Sequence, residues 1–503
     1  MVRILLCVLL QALLLGPVAA KELSPTDPEI EAALGRLEGV RWYGLYMMGT
    51  KMGWVREELH VQEQEIVQTW QAFFQIRVLL QELRTEISHA AWYRRGGGWE
   101  LLRAEGTLED KDRSVKASGA RVGQRFVVEA DSRGQRSRKD WDWPAGSAVE
   151  LAPWAARERM DIGDRVSYFT VDVTEQERTG QALEYRGERS TGTARSGARV
   201  FEFVVHDARG MDIEMVVGEN GVVLEGGLGP SVRLVLEDEE TAKSLSKSGL
   251  DLSLASQVPA DRPLKDDALD RVVRLEVVLD GVGPGDLHTD ARQTLLEDGG
   301  ASPVLRIRAL DLEDLRRGPG AGPLTRLLPR LVGIRRQPPE PTDPRWIECT
   351  GGSGCDHPSV RALAEKEAGG RTGLDLVLHL SRTVNGLLRY ELGVSLDRAE
   401  EILADGRGDC LEYATLLVAL LRARGVPARV VSGVAYASSE PPSFGYHAWA
   451  EARVDGHWVQ VDPTWDEYPV DATHIVFDLE DGFRMFRHFG RLKIGIRDVE
   501  YAP

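Results

Sequence analysis

Cys410 stands in the run GRGDCLEYATLLVALLRARGVPARVVSG (406–433), directly behind Gly408 and Asp409 and at the start of an apolar helical pattern. A cysteine so placed can be core filler, half of a disulfide, a metal ligand or a nucleophile. The residues after it are apolar nearly all round, so the helix they form belongs inside a domain. Asp409 suits the N-cap, and Gly425 with Pro427 beyond it ends the run. Unpaired N–H groups and the positive dipole end at a helix start favour a thiolate and can donate to an oxyanion. The position therefore predicts a cysteine of lowered pKa.

A second stretch, FGYHAWAEARVDGHWVQVDPTWD (444–466), supplies an imidazole and a carboxylate. Asp455-Gly456 between alternating runs is a two-residue hairpin signal. Counting outward from that turn pairs Val454 with His457, Arg453 with Trp458, Glu451 with Gln460 and Trp449 with Asp462. His447 is then a diagonal, same-face neighbour of Asp462, about 7–8 Å away between Cα atoms. A carboxylate there can bond one imidazole nitrogen and leave the other for a thiol. A slip of one residue in the turn would put the two on opposite faces. Cys410, His447 and Asp462 are the candidate catalytic residues.

The remaining cysteines narrow the choice. MVRILLCVLLQALLLGPVAA has one cation, Arg3, an uncharged run from Ile4 to Leu15, and Val18-Ala19-Ala20 before a cleavage site. Residues 1–20 read as a signal peptide containing Cys7, with export to the periplasm or beyond the cell. Cys349 and Cys355 bracket TGGSG, and a local disulfide between them is the expected state in an oxidising compartment. A zinc site with His357 is disfavoured, because the spacing is not C-x2-C and no second ligand pair is visible. Two reduced structural thiols remain the alternative. If Cys349 and Cys355 pair, Cys410 is left over as a free thiol.

The elements that must position these groups fall into several units. Residues 21–255 read as a β-rich N-terminal domain: eight of the twelve tryptophans precede residue 155, and Glu219-Asn220-Gly221 offers a tight hairpin turn. FFQIRVLLQEL within it suits a strand or a helix. SQVPADRPLKDDALDR (256–271) looks like a linker, and residues 267–315 a small β-rich unit. Residues 316–357 form a proline- and glycine-rich linker holding the disulfide loop, and 358–503 the unit that carries the chemistry. There SVRALAEKEAG, LDLVLHLSRTVNGLLRYEL and SLDRAEEILADGRGDC read as helices, the last capped by Ser395. With 42% hydrophobic residues the chain can bury ordinary cores, while a net charge of −17 argues against nucleic acid or an anionic membrane as partner. After signal cleavage no stretch is long and apolar enough to span a membrane.

GDCLEYATLLVALLRARGVPARVVSG followed by YHAWAEARVDGHWVQVDPTWD resembles the transglutaminase-like superfamily, whose core is a papain-like cysteine fold. The resemblance covers about a quarter of the chain. It implies an α+β C-terminal domain behind the β-rich region, with Cys410 as nucleophile, His447 as general base and acid, and Asp462 as orienting carboxylate. Arg422-Ala423-Arg424-Gly425-Val426-Pro427-Ala428-Arg429 matches a family feature, with Arg424 more highly charged than usual there. Trp449 matches the aromatic that follows the histidine by two. The implied reaction is acyl transfer on peptide or isopeptide amides of a protein or peptide substrate, through a thioester resolved by water or by an amine. Water is the favoured acceptor, and no cofactor is expected. A second oxyanion donor is sought in Tyr390 or Asn385. No calcium loop of the D-x-[DN]-x-[DN]-G kind is present in the sequence. His457 and His474 read as surface or packing groups rather than a metal pair, and Arg407-Gly408-Asp409 as a helix start rather than an adhesion signal. The competing class is a non-catalytic scaffold in which this core is a relic.

Overall fold

Contacts divide the chain into two units, residues 1–255 and 256–503. The computed structural model describes residues 35–502 except 79–80, 96–99, 144–159, 191–198, 208–211, 229–230, 246–256, 299, 301, 311–342, 350–353, 395, 397 and 480–487. The signal peptide expected at 1–20, the cap expected at Ser395 and most of the linker expected at 316–357 lie outside the described residues. Among the described residues no helix is long and apolar enough to cross a membrane.

In the first unit fourteen antiparallel strands form one sheet. Eight run as a meander outward from Gly39–Met47 to Gln135–Asp142, and six more from Arg165–Asp172 to Val232–Glu237 return to pair with the first. The ambiguous FFQIRVLLQEL segment is extended over its described residues: Glu65–Val78 pairs along its length with Gln81–Arg94. Alternation explains this choice, since from Ile66 to Ile76 every second residue is buried and those between are more exposed. The sheet curls, because Gln176 donates to the carbonyls of both Val128 and Ser137 on the far strands. Gly106 makes room for that approach: a Cβ there would lie 2.9 Å from side-chain atoms of Val173 and Thr174.

The second unit is built round the helix Cys410–Ala423, whose Leu416, Leu417, Leu420 and Leu421 are fully buried. Burying each stabilises the unit by roughly 2 kcal/mol. Asp409 accepts from the Leu411 N–H, while Glu412 reaches back to the Asp409 N–H in a reciprocal capping box. Helices Pro358–Ala368, Gly373–Leu387 and Ala399–Asp405 pack about it. The last of these begins with Arg398 at its N-cap. On the other side lies a five-stranded sheet in which Pro442–Val454 runs between Ala428–Ser439 and Gln257–Pro259, with His457–Val461 also paired to it. Residues 257–259, expected in a linker, are thus a strand. Val272–Asp280 from the small β-rich segment pairs with the C-terminal strand Lys493–Tyr501. The resulting four-stranded sheet shares a hydrophobic cluster with the five-stranded one, so this segment is part of the second unit.

Candidate active site

Asp455 and Gly456 both take positive φ, 49° and 85°, as a tight hairpin turn requires. The ladder they set runs Val454 with His457, Arg453 with Trp458 and Glu451 with Gln460, the register the sequence predicts, and continues to Ala450 with Val461. Asp462 then leaves the ladder and exchanges backbone hydrogen bonds with Glu467. The turn this makes aims its carboxylate at His447: Oδ2 lies 2.7 Å from Nε2, with His447 7% exposed and Asp462 fully buried. The other oxygen accepts the N–H groups of Thr464 and Trp465. Burial alone would push the Asp462 carboxyl up, but the imidazoles of His447 and His474 outweigh it and hold it far below the usual carboxylate range.

With Nε2 committed to Asp462, Nδ1 is the nitrogen left to a thiol. Cys410 is half-buried, and the backbone N–H of Ala448, the residue after His447, acts on it in favour of the thiolate. A helix start predicts an acidic thiol, yet this one is pushed well above its ordinary value. Burial is the main cause, then the Asp409 carboxylate, with Glu412 and Asp462 adding to it against the Ala448 N–H. Burial and the Asp409 carboxylate outweigh what the helix start offers the thiol. Cys410 is therefore a neutral thiol at rest and needs a base to ionise.

Around this centre the aromatic residues divide by role. Trp465 lies over the imidazole of His447, with ring centroids 4.3 Å apart and 13° between planes, yet stays 42% exposed. It forms a wall facing solvent. Trp449 is fully buried beneath the imidazole and donates to Gln460, so it supports the ring from below and does not line an open cleft. Tyr390 sits on the strand Arg389–Tyr390, paired with Arg407–Gly408 just ahead of Cys410. Burial, then the neighbouring thiol and Asp409, raise its phenol pKa, so it keeps its proton. Asn385 is differently engaged: its amide donates to the carbonyls of Pro463 and Thr464 at 2.9 and 3.3 Å. It holds the loop that carries Trp465 and has no donor turned to the thiol. Gly433, opposite His447 in the sheet, allows the backbone of Ile475 to cross where a Cβ would collide with its carbonyl.

That crossing brings in groups the sequence reading did not assign to the site. His457 is exposed, but His474 is wholly buried. Its Nε2 lies 3.4 Å from Asp462 Oδ2, and its Nδ1 lies 3.3 Å from Asp471 Oδ1 and 3.8 Å from Glu467 Oε2. Burial opposes a charged ring, yet these carboxylates raise its pKa to about 9. Burial, with Asp471 and Asp462, lifts Glu467 to about 7 despite His474. Arg292, 4% exposed, donates to the carbonyls of Asp471 and His474. Ligand atoms of His447, Asp462 and His474, or of Glu467, Asp471 and His474, are close enough together to hold a metal ion. Carboxylates face both ring nitrogens of His474, and Arg292 adds a further cation. The one sequence signal for His474 was its place soon after the Asp462 turn, in Asp471-Ala-Thr-His474.

The disulfide Cys349–Cys355 is formed, leaving Cys410 as the free cysteine among the described residues. Residues 361–463 match the sequence profile of the transglutaminase-like superfamily. A protein-glutamine gamma-glutamyltransferase of Pseudomonas aeruginosa is 32% identical over 127 residues, 22% of this chain and 19% of that protein. This chain thus spans about a fifth of the length of that curated relative. Among solved structures, a candidate cysteine protease from Cytophaga hutchinsonii covers 46% of this chain and 90% of its own at 19% identity, with a TM-score of 0.29. A β-barrel-like protein of unknown function from Brucella abortus covers 40% of this chain and 97% of its own at 9% identity, with a TM-score of 0.30.

Proposed function

Given that the C-terminal core of this chain is transglutaminase-like, we propose that it is an exported thiol acyl-transfer enzyme acting on carboxamides of protein or peptide substrates. The observation that carries the reading is the buried 2.7 Å bond between His447 and Asp462, with the backbone of the next residue, Ala448, close enough to influence the Cys410 thiol. His447 takes the thiol proton at Nδ1 as Cys410 Sγ bonds to the carbonyl carbon. The carbonyl electron pair moves to oxygen, where the N–H groups at the helix start and the Tyr390 hydroxyl are the candidate donors. The C–N bond then breaks, and His447 protonates the departing amine. The thioester is resolved when water, deprotonated by His447, adds to the same carbon; the C–S bond breaks and the thiol regains its proton. An amine in place of water yields a new amide.

Hydrolysis is the favoured outcome because an exported site is bathed in water and the sulfur of Cys410 is only half-buried. The name of the Pseudomonas relative favours a glutamine γ-carboxamide as acyl donor and gives the amine acceptor its support. Export is supported by the leader-like first twenty residues together with the disulfide. The test is ammonia release from casein and from an N-protected glutaminyl-glycine, with and without a fluorescent primary amine. Release without the amine is expected from the native protein and none from Cys410→Ala. Undiminished turnover in Cys410→Ala ends the enzyme reading, and incorporation of the amine at the expense of free acid moves the assignment to transferase.

A further inference from the structure

His474 is wholly buried at the centre of a charge cluster, of which Glu467 alone is partly exposed. Both of its ring nitrogens face carboxylate oxygens, Asp462 on one side and Asp471 with Glu467 on the other. A neutral imidazole has one N–H, so it would set a lone pair against one of these acceptors in a wholly buried site. A ring carrying both protons satisfies both sides. The carrying loop is fixed from a distant part of the chain: Arg292 donates to the carbonyls of Asp471 and His474, and Gln293 exchanges two hydrogen bonds with the backbone of Val476. Arg292 is the cation facing this loop, and its own pKa falls to about 10 through burial.

We propose that His474 is a positioning residue of the reaction: a doubly protonated imidazolium held between Asp462 and Asp471, it shares the Asp462 carboxylate with His447 and limits how tightly His447 keeps its proton. The inference rests on the Cys410–His447–Asp462 reading of the site. Asp462 Oδ2 serves both rings, at 2.7 Å and 3.4 Å. When His447 takes the thiol proton, two cations stand with ring centroids 5.9 Å apart. Their repulsion, little screened in a buried site, makes imidazolium His447 a stronger acid toward the leaving amine. The groups that face His474 are Asp462, Asp471, Glu467 and His447, with Arg292 clamping its backbone.

The test measures iodoacetamide alkylation of Cys410 against pH in the full chain, by mass spectrometry of the Cys410 peptide, for the native protein, His447→Ala and His474→Gln. Glutamine keeps a donor and removes the charge. Alkylation that depends on the free base of His447 follows the titration of that ring, so withdrawing a positive charge 5.9 Å from it should raise the alkylation midpoint by about one pH unit. Loss of packing alone would not move that midpoint. A His447→Ala profile identical to the native one sinks the triad reading. If His447→Ala is altered while His474→Gln keeps the native midpoint, the His474 inference fails by itself. Should His474→Gln not fold, nitrogen-15 spectra of the native imidazoles decide: one buried histidine protonated on both nitrogens at pH 8 is expected, and ordinary titration of every ring overturns the proposal.

Discussion

Replacing Asp409 by asparagine should make the Cys410 thiol more acidic while leaving its helix intact. The cap is an acceptor oxygen at the Leu411 N–H, which asparagine supplies as well as aspartate does. What disappears is a carboxylate that, after burial, is the strongest influence pushing the thiol up. Two unit charges about 6 Å apart at an effective dielectric constant near 20 interact by roughly 3 kcal/mol, or about two pH units. Asp409 is half-buried, and solvent screening brings the expected fall in the thiol midpoint to about one unit. Burial, the largest cause of the raised Glu412 carboxyl, remains in the variant, while the Asp409 share is lost. The assay is the rate of iodoacetamide alkylation at Cys410 from pH 6 to 10, with circular dichroism confirming an unchanged fold. A midpoint that stays put or rises in Asp409→Asn would refute the claim that the Asp409 carboxylate holds the thiol up.

Other expectations follow from the same geometry. Gly433→Ala drives a methyl into the Ile475 carbonyl and the Trp449 ring, so urea denaturation should show a loss of about 2 kcal/mol and turnover should drop more than tenfold. Asn385→Ala frees the Pro463–Thr464 carbonyls; Trp465 fluorescence should shift to the red and kcat/KM fall by about tenfold, the size of one or two lost hydrogen bonds. Stability should also depend on alkaline pH. His474 titrates at about 9 in the fold against 6.5 ordinarily, so its stabilisation is complete below about pH 6.5 and is lost as pH rises through 9. The difference amounts to about 3 kcal/mol. Glu467, raised to about 7 from 4.5, loses its share in the earlier window between about pH 4 and 7. Denaturant midpoints at pH 5, 7 and 9 should fall in that order, and His474→Gln should flatten the upper half of the slope.

Periodicity and turn chemistry determined the local parts of this protein. The apolar run after Cys410 had to be a buried helix, Asp455-Gly456 had to turn a hairpin, and counting along two strands brought His447 and Asp462 to one face. These are contacts between near neighbours in sequence, where spacing alone dictates geometry. The same logic stopped at Trp449 and Asp462, because a turn with Glu467 takes Asp462 out of the ladder at that point. Only the tertiary structure decided what surrounds the pair. It set Asn385 on a loop backbone, joined Val272–Asp280 to the C-terminal strand, and carried Arg292 across the fold to clamp Asp471 and His474. It also reversed the expected acidity of the thiol. Charge energies depend on burial and on which distant groups approach within a few ångströms, and neither quantity is written in the spacing of residues along a chain.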